Sequence, residues 1–256
     1  MTIGVFDSGV GGLTVLRAIH RRLPGASTVY LGDTARVPYG TKSPEVVIRY
    51  TRNNARFLLS HGISLLVVAC NTATAHALPT LQKELNVPVV GVVEPGARAA
   101  AAKSRSGRIG VIGTAGTIAS GAYQRALQAA RPGCELHALA CPLFVPLAEE
   151  GWLEGEVPTA IAEHYLGQLR GRIDALVLGC THYPLLAPTV ARVLGEGVAL
   201  VDSAEATAAA VEDALPPTRA GGTSHRYFVT DVPVRFAEVA ARFLGHAPET
   251  VEQIDI

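Results

Sequence analysis

The 256-residue sequence carries no net charge, with 22 basic and 22 acidic side chains, and it lacks long charge runs. It therefore shows none of the electrostatic footprint that marks binding to nucleic acid or to an anionic membrane surface. No apolar stretch approaches the roughly 20 residues that cross a bilayer, and the N-terminus enters a strand pattern without the basic region and cleavage site of a secretory leader. The expected location is the cytoplasm, away from the membrane. Lysine is scarce, being limited to Lys42, Lys83 and Lys103, and none sits in a pattern that suggests pyridoxal phosphate. Four cysteines, Cys70, Cys134, Cys141 and Cys180, are too few and too irregularly spaced in a chain this long for a disulfide framework. What is abundant is apolar: 48% of residues are hydrophobic, enough for a proper core in one large or two small domains.

Strand and helix signals alternate along the whole chain. Ile3 to Phe6, Thr28 to Leu31, Leu65 to Ala69, Val87 to Val90, Ile109 to Ile112, Leu136 to Leu139, Ala175 to Leu178 and Val198 to Val201 read as strands. Helical patterns lie between them, such as Val46, Val47, Tyr50, Phe57 and Leu58 on one face, opened by Ser43 as a cap with Pro44 at the first helical position. This repetition predicts an α/β fold built on mainly parallel sheets covered on both faces.

The two halves echo one another. Ile3-Gly4-Val5-Phe6-Asp7-Ser8-Gly9 is matched by Ile109-Gly110-Val111-Ile112-Gly113-Thr114-Ala115, an offset of 106 residues, and Cys70 and Cys180 are offset by 110. Leu78-Pro79-Thr80-Leu81 and Ala187-Pro188-Thr189-Val190 read as similar helix openings after each cysteine. Two similar offsets predict duplicated, pseudosymmetric three-layer α/β domains whose carboxyl-end edges face each other across one cleft. The boundary is placed near Pro95-Gly96, giving a first domain of residues 1–96 plus 207–256 and a second of 97–206, with the strand-like His225 to Val229 and helix-like Val234 to Leu244 returning to the first.

Cys70 and Cys180 each follow a short aliphatic run and precede small polar residues, the setting of a thiol at the carboxyl end of a buried strand. Either alone reads as a packing residue, as do Cys134 and Cys141. As a pair across a cleft they can address one small molecule from opposite sides. The N-terminus of the following helix is expected to lower each thiol's pKa, with Asn71, Thr72 and Thr181 as neighbouring donors. Asp7, at a strand end, is either a helix cap or a proton partner for a thiol. Glu149 and Glu150 read as a solvated helix end or as part of the site. Tyr39-Gly40 is a loop over the cleft or a plain turn. The glycines of Asp7-Ser8-Gly9-Val10-Gly11-Gly12-Leu13-Thr14 do not make a dinucleotide loop, because Thr14 stands where the third glycine belongs. His182, two residues after Cys180, completes C-x-H, but no second cluster supplies the other ligands at a zinc spacing, and no metal is expected.

These residues carry a resemblance. The opening Asp7-Ser8-Gly9-Val10-Gly11-Gly12, the loop Pro38-Tyr39-Gly40, Ala69-Cys70-Asn71-Thr72-Ala73 and Gly179-Cys180-Thr181-His182-Tyr183-Pro184 resemble, in order and across nearly the whole chain, the glutamate racemases of the cofactor-independent aspartate/glutamate racemase superfamily. The resemblance implies two pseudosymmetric α/β domains, no cofactor, a homodimer, glutamate as substrate, and interconversion of its enantiomers in the cytoplasm for peptidoglycan synthesis. It implies that Cys70 handles the α-proton of D-glutamate and Cys180 that of L-glutamate, with Asp7 assisting Cys70, and Glu149 and His182 assisting Cys180. It further implies that Asp7, Ser8, Tyr39, Gly40, Asn71, Thr72, Thr114, Thr117, Thr181 and His182 hold the substrate. An aspartate racemase would share the paired cysteines, and a two-domain amino-acid-binding module would share the cleft.

Overall fold

The computed structural model describes residues 1–215, 223–248 and 250–256; residues 216–222 and 249, within the C-terminal segment assigned above to the first domain, lie outside the described residues. Its elements run β1 (Thr2–Asp7), α1 (Leu13–Arg22), β2 (Ser27–Gly32), α2 (Pro44–Ser60), β3 (Leu65–Val68), α3 (Asn71–Glu84), β4 (Val89–Gly91) and α4 (Val93–Lys103). The order repeats with β5 (Arg108–Gly113), α5 (Ala115–Ala119), α6 (Ala122–Ala130), β6 (Glu135–Ala140), α7 (Phe144–Glu150), α8 (Glu156–Leu166), β7 (Ala175–Gly179), α9 (Ala187–Leu194) and β8 (Ala199–Asp202). It closes with α10 (Ser203–Ala214), β9 (His225–Val229), α11 (Pro233–Leu244) and β10 (Val251–Gln253).

Two sheets form, ordered β10-β9-β2-β1-β3-β4 and β6-β5-β7-β8, with parallel pairing throughout. The second sheet repeats the central order of the first, and the repeat extends to register. Ile3 pairs with Leu65 and Phe6 with Val68; Ile109 pairs with Ala175 and Ile112 with Leu178. Cys70 and Cys180 therefore stand two residues beyond equivalent paired positions, at the carboxyl edges where the strand order reverses and ligand crevices open.

The strands are apolar on both faces, as buried parallel strands require: β3 and β7 are buried at every residue. On α1, Leu13, Leu16 and Ile19 are fully buried, each worth about 1.5–3 kcal/mol of transfer free energy. They share a core with Ala204, Ala208 and Val211 of α10. The helix α4 packs Val93, Ala97 and Ala100 on the second sheet, and α4 and α10 pack on each other. The boundaries expected after residues 96 and 206 fall inside these two helices. Among the described residues no helix is long and apolar enough to cross a membrane.

Two local readings are corrected. The first cysteine is followed at once by α3, so Leu78-Pro79-Thr80-Leu81 lies inside a helix rather than opening one. The cause is at the cap: Ala73 N–H donates to Cys70 Sγ at 3.5 Å, which starts the helix at Asn71. The edge strand β10 was not anticipated, because three residues, Val251-Glu252-Gln253, are too short to display a period.

His20 gives the fold a pH dependence. Its Nε2 lies 3.0 Å from Thr28 Oγ1 and its ring centroid 4.1 Å from that of His225. Burial, with added repulsion from His225 and His246, lowers its pKa from 6.5 to about 4. Between those values the unfolded chain binds the extra proton and the folded chain does not, so stability falls as pH drops through that window. Thermal denaturation is expected to show the melting temperature declining there, and declining less in His20→Asn; equal slopes for the two proteins would contradict this account.

Candidate active site

The carboxyl edges of the two sheets meet around one cavity of about 60 Å³, lined by Ser8, Gly9, Val37, Pro38, Tyr39, Gly40, Cys70, Asn71, Thr72, Thr114, Val145, Glu149, Cys180, Thr181 and His182. The cavity thus gathers most of the residues singled out from the sequence. Asp7 and Thr117 are fully buried behind it. The halves approach closely enough to exclude side chains between them. A Cβ on Gly11 would stand 2.2 Å from Thr181 Oγ1 and 2.6 Å from His182 Nδ1, and one on Gly40 would stand 2.6 Å from Thr114 Cβ. Gly11 of the first loop thus serves contact between the halves, whereas Gly12 lies against Asp7 and Ala69 of its own half.

Both thiols are nearly buried, Cys70 at 5% and Cys180 at 6% exposure, and their surroundings differ. Cys70 Sγ donates to Ser8 Oγ at 3.5 Å. Burial pushes its pKa up to about 12; the Asp7 charge adds to this, and the contacts with Ser8 and Ala73 N–H oppose it only in part. The expected lowering by the helix N-terminus is therefore overturned for Cys70, because loss of water outweighs a partial charge of about half an electron. Cys180 is not followed directly by an α-helix; a 3-10 turn, Tyr183–Leu186, intervenes before α9. Its Sγ lies 3.8 Å from His182 Nδ1.

His182 Nε2 in turn lies 3.0 Å from Glu149 Oε1. Burial alone would lower the imidazole, but hydrogen bonds to Cys180 and Glu149 and the charges around it prevail and raise it to about 10. The same His182 hydrogen bond holds Glu149 below its ordinary value. The pair is an imidazolium–carboxylate ion pair at neutral pH, not a solvated helix end. Two residues of α11 support it: the Phe243 ring meets His182 edge-on at 5.2 Å, and Arg242 Nη1 donates to the Glu149 carbonyl.

Asp7 is fully buried, and burial raises its pKa. Its Oδ2 accepts from Gly9 N–H at 2.9 Å, while Oδ1 has no hydrogen-bond partner. It acts on Cys70 through charge, and Ser8 supplies the hydrogen bond. Across the halves, Thr72 Oγ1 lies 2.9 Å from Thr114 Oγ1 and 3.1 Å from Thr117 Oγ1.

The sequence reading missed Asp33. It is fully buried, and its carboxylate accepts from Tyr39 Oη, from Asn54 Nδ2 at 3.3 Å, from Arg36 Nη1 at 3.2 Å and from Thr230 Oγ1 at 3.0 Å. It anchors the loop that carries Tyr39 and Gly40. A signal was present: Asp33 directly follows β2 at the carboxyl edge, beside Asp7 at the end of β1. Phe243 and Tyr123, whose Oη donates to Asn71 Oδ1 at 2.7 Å, had none, since a buried aromatic on a helix reads as core.

Among the described residues, the cavity lining contains neither Lys nor Arg. A carboxylate bound there would be met by hydroxyls, by Asn71, by His182 and by the free N–H groups at the N-terminus of α3, a ready anion site. Among the described residues, no three of His, Cys, Asp and Glu are grouped so as to hold a metal ion.

Comparison with known proteins agrees with this geometry. The profile of the Asp/Glu/Hydantoin racemase family matches residues 3–211. A Geobacter metallireducens protein named glutamate racemase is 57% identical over 261 residues, covering 99% of this chain and 96% of that protein. The structure of a Bacillus anthracis glutamate racemase superposes with a TM-score of 0.93 at 40% identity, covering 100% of this chain and 97% of the other. A Francisella tularensis glutamate racemase in complex with D-glutamate superposes with a TM-score of 0.90 at 33% identity, covering 99% of this chain and 97% of the other.

The ion pair is directly testable. Removing the carboxylate with Glu149→Gln is expected to lower the His182 pKa from about 10 towards the ordinary imidazole range, read by NMR titration of the ring. An unmoved titration would contradict the role given to Glu149.

Proposed function

The chain belongs to the Asp/Glu/Hydantoin racemase family and is an amino-acid racemase, an isomerase, and on that premise we propose that it interconverts L- and D-glutamate by proton transfer between Cys70 and Cys180. The observation that carries this reading is the pair of thiols at matched register on two sheets, both lining one cavity. Inversion at carbon requires removal of the α-proton on one face and delivery of a proton on the other. One sulfur must therefore be a thiolate while its partner remains a thiol, and their roles exchange after each turnover.

The unequal surroundings suit this division. In the direction from L- to D-glutamate, Cys180 removes the α-proton, with His182, held as an imidazolium by Glu149, 3.8 Å from its sulfur. Cys70, which burial keeps protonated, delivers to the opposite face. In the reverse direction Asp7, raised by burial, is suited to take up the proton on the Cys70 side. Charge that develops on the α-carboxylate is met by donors in place beforehand, Thr72, Thr114, Thr181 and the first N–H groups of α3, while Asn71 holds a substrate carboxylate equally in the ground and transition states. Ser8, Tyr39 and Gly40 close the cavity from the first half, and Thr117 braces Thr72 and Thr114. The D-glutamate formed supplies peptidoglycan synthesis in the cytoplasm.

Cys70→Ala and Cys180→Ala are each expected to lower racemisation about 10²–10⁴-fold while far-ultraviolet circular dichroism stays unchanged. Either variant with near wild-type turnover would refute the assignment. In deuterium oxide, early deuterium should enter the product enantiomer predominantly; equal early labelling of substrate and product would indicate a single base. Parallel assays on both enantiomers of aspartate test the substrate assignment, with preference for aspartate overturning it.

A further inference from the structure

Asn71 presents an unusual pair of amide atoms. It is 3% exposed and lines the cavity. Its Oδ1 accepts the Tyr123 hydrogen bond at 2.7 Å, whereas its Nδ2 is buried without any hydrogen-bond partner. Four buried side-chain atoms among the described residues share that condition, on Asp7, Asn54, Asn71 and Gln124, and of these residues Asn71 is the one in the cavity lining. A buried amide N–H₂ without an acceptor costs about 1–3 kcal/mol. Such an atom on a residue that lines a binding cavity is accounted for by an acceptor that arrives with the ligand.

Tyr123 decides which amide atom is left over. It is fully buried on α6, in the second half, within a cluster that includes Ile109, Val111 and Val177. Its ring lies so close to Gly179 that a Cβ there would stand 2.9 Å from Cε2. The ring is thus held by packing, independently of its hydroxyl. Burial keeps the phenol protonated, and the Ser203 hydroxyl beside it opposes this only in part. The phenol donates to the amide oxygen, whereas a flipped Asn71 would turn a carbonyl oxygen towards an anionic substrate.

We propose that Tyr123 is a positioning residue for the racemase: by holding Asn71 Oδ1 from the opposite half, it directs Nδ2 into the cavity as a donor to a carboxylate of the bound amino acid. The proposal rests on the racemase reading above. It also makes the binding donor conditional on docking of the halves, because α3 supplies the amide and α6 the group that orients it.

Tyr123→Phe removes the hydroxyl and keeps the ring. The KM for both glutamate enantiomers is expected to rise about tenfold or more, with kcat changed less than about threefold, as for lost ground-state binding. Asn71→Ala should do at least as much, and the double variant should be no worse than Asn71→Ala alone, because Tyr123 acts through that amide. A KM for Tyr123→Phe within about twofold of wild type, or additive losses in the double variant, would overturn the proposal. Should Tyr123→Phe not fold, Asn71→Asp asks the same question with the phenol intact. It leaves an oxygen facing the cavity and should raise KM about 100-fold, and an unchanged KM would overturn the proposal. Wild-type enzyme that racemises glutamate beside unaffected variants removes the Tyr123 role alone. Wild-type enzyme that turns over neither enantiomer removes the racemase reading and this proposal with it.

Discussion

The site depends on a steric condition: two sheet edges must meet with no side chain between them. Gly11 against Thr181 and His182, and Gly40 against Thr114, are the points where a single Cβ would hold the halves apart. With that approach in place, the cavity is walled by both halves and its thiols are nearly buried. Burial raises Cys70 and Asp7. The same burial makes an isolated imidazolium costly, so His182 holds its charge through the Cys180 sulfur, the Glu149 carboxylate and the Asp7 charge.

Polar groups brought into such a site must be held by others. Asp33 fixes Tyr39, Tyr123 fixes the Asn71 amide, and Phe243 and Arg242 brace the His182–Glu149 pair. Apart from Asp33, these supports come from elements far from the groups they hold in sequence. The half that supplies a support often differs from the half it steadies, so the site is an interlocked product of both.

Much of this was legible in the sequence. Aliphatic runs ending in Cys70 and Cys180 identify themselves as buried parallel strands, and two nearly equal offsets disclose the duplication that the registers Ile3–Leu65 and Ile109–Ala175 display. The rest was hidden for definable reasons. The start of α3 depends on a sulfur cap, which competes with the more visible signal of Pro79. The direction of the Cys70 shift depends on how completely two halves exclude water, a tertiary quantity that local helix-dipole reasoning does not contain. Tyr123 and Phe243 look like core residues because they are core residues, and only their polar edge or ring orientation gives them a second role.

The duplication of backbone is not matched by duplication of chemistry. One sulfur is backed by an imidazolium and a carboxylate, the other by a hydroxyl and a buried aspartate. Mirror-image amino acids have identical free energies in water, so the ratio kcat/KM must be equal for the two hands, whatever the protein does. This lopsidedness can therefore surface only as a trade within each hand, one enantiomer having a lower KM and, in the same proportion, a slower turnover than its twin.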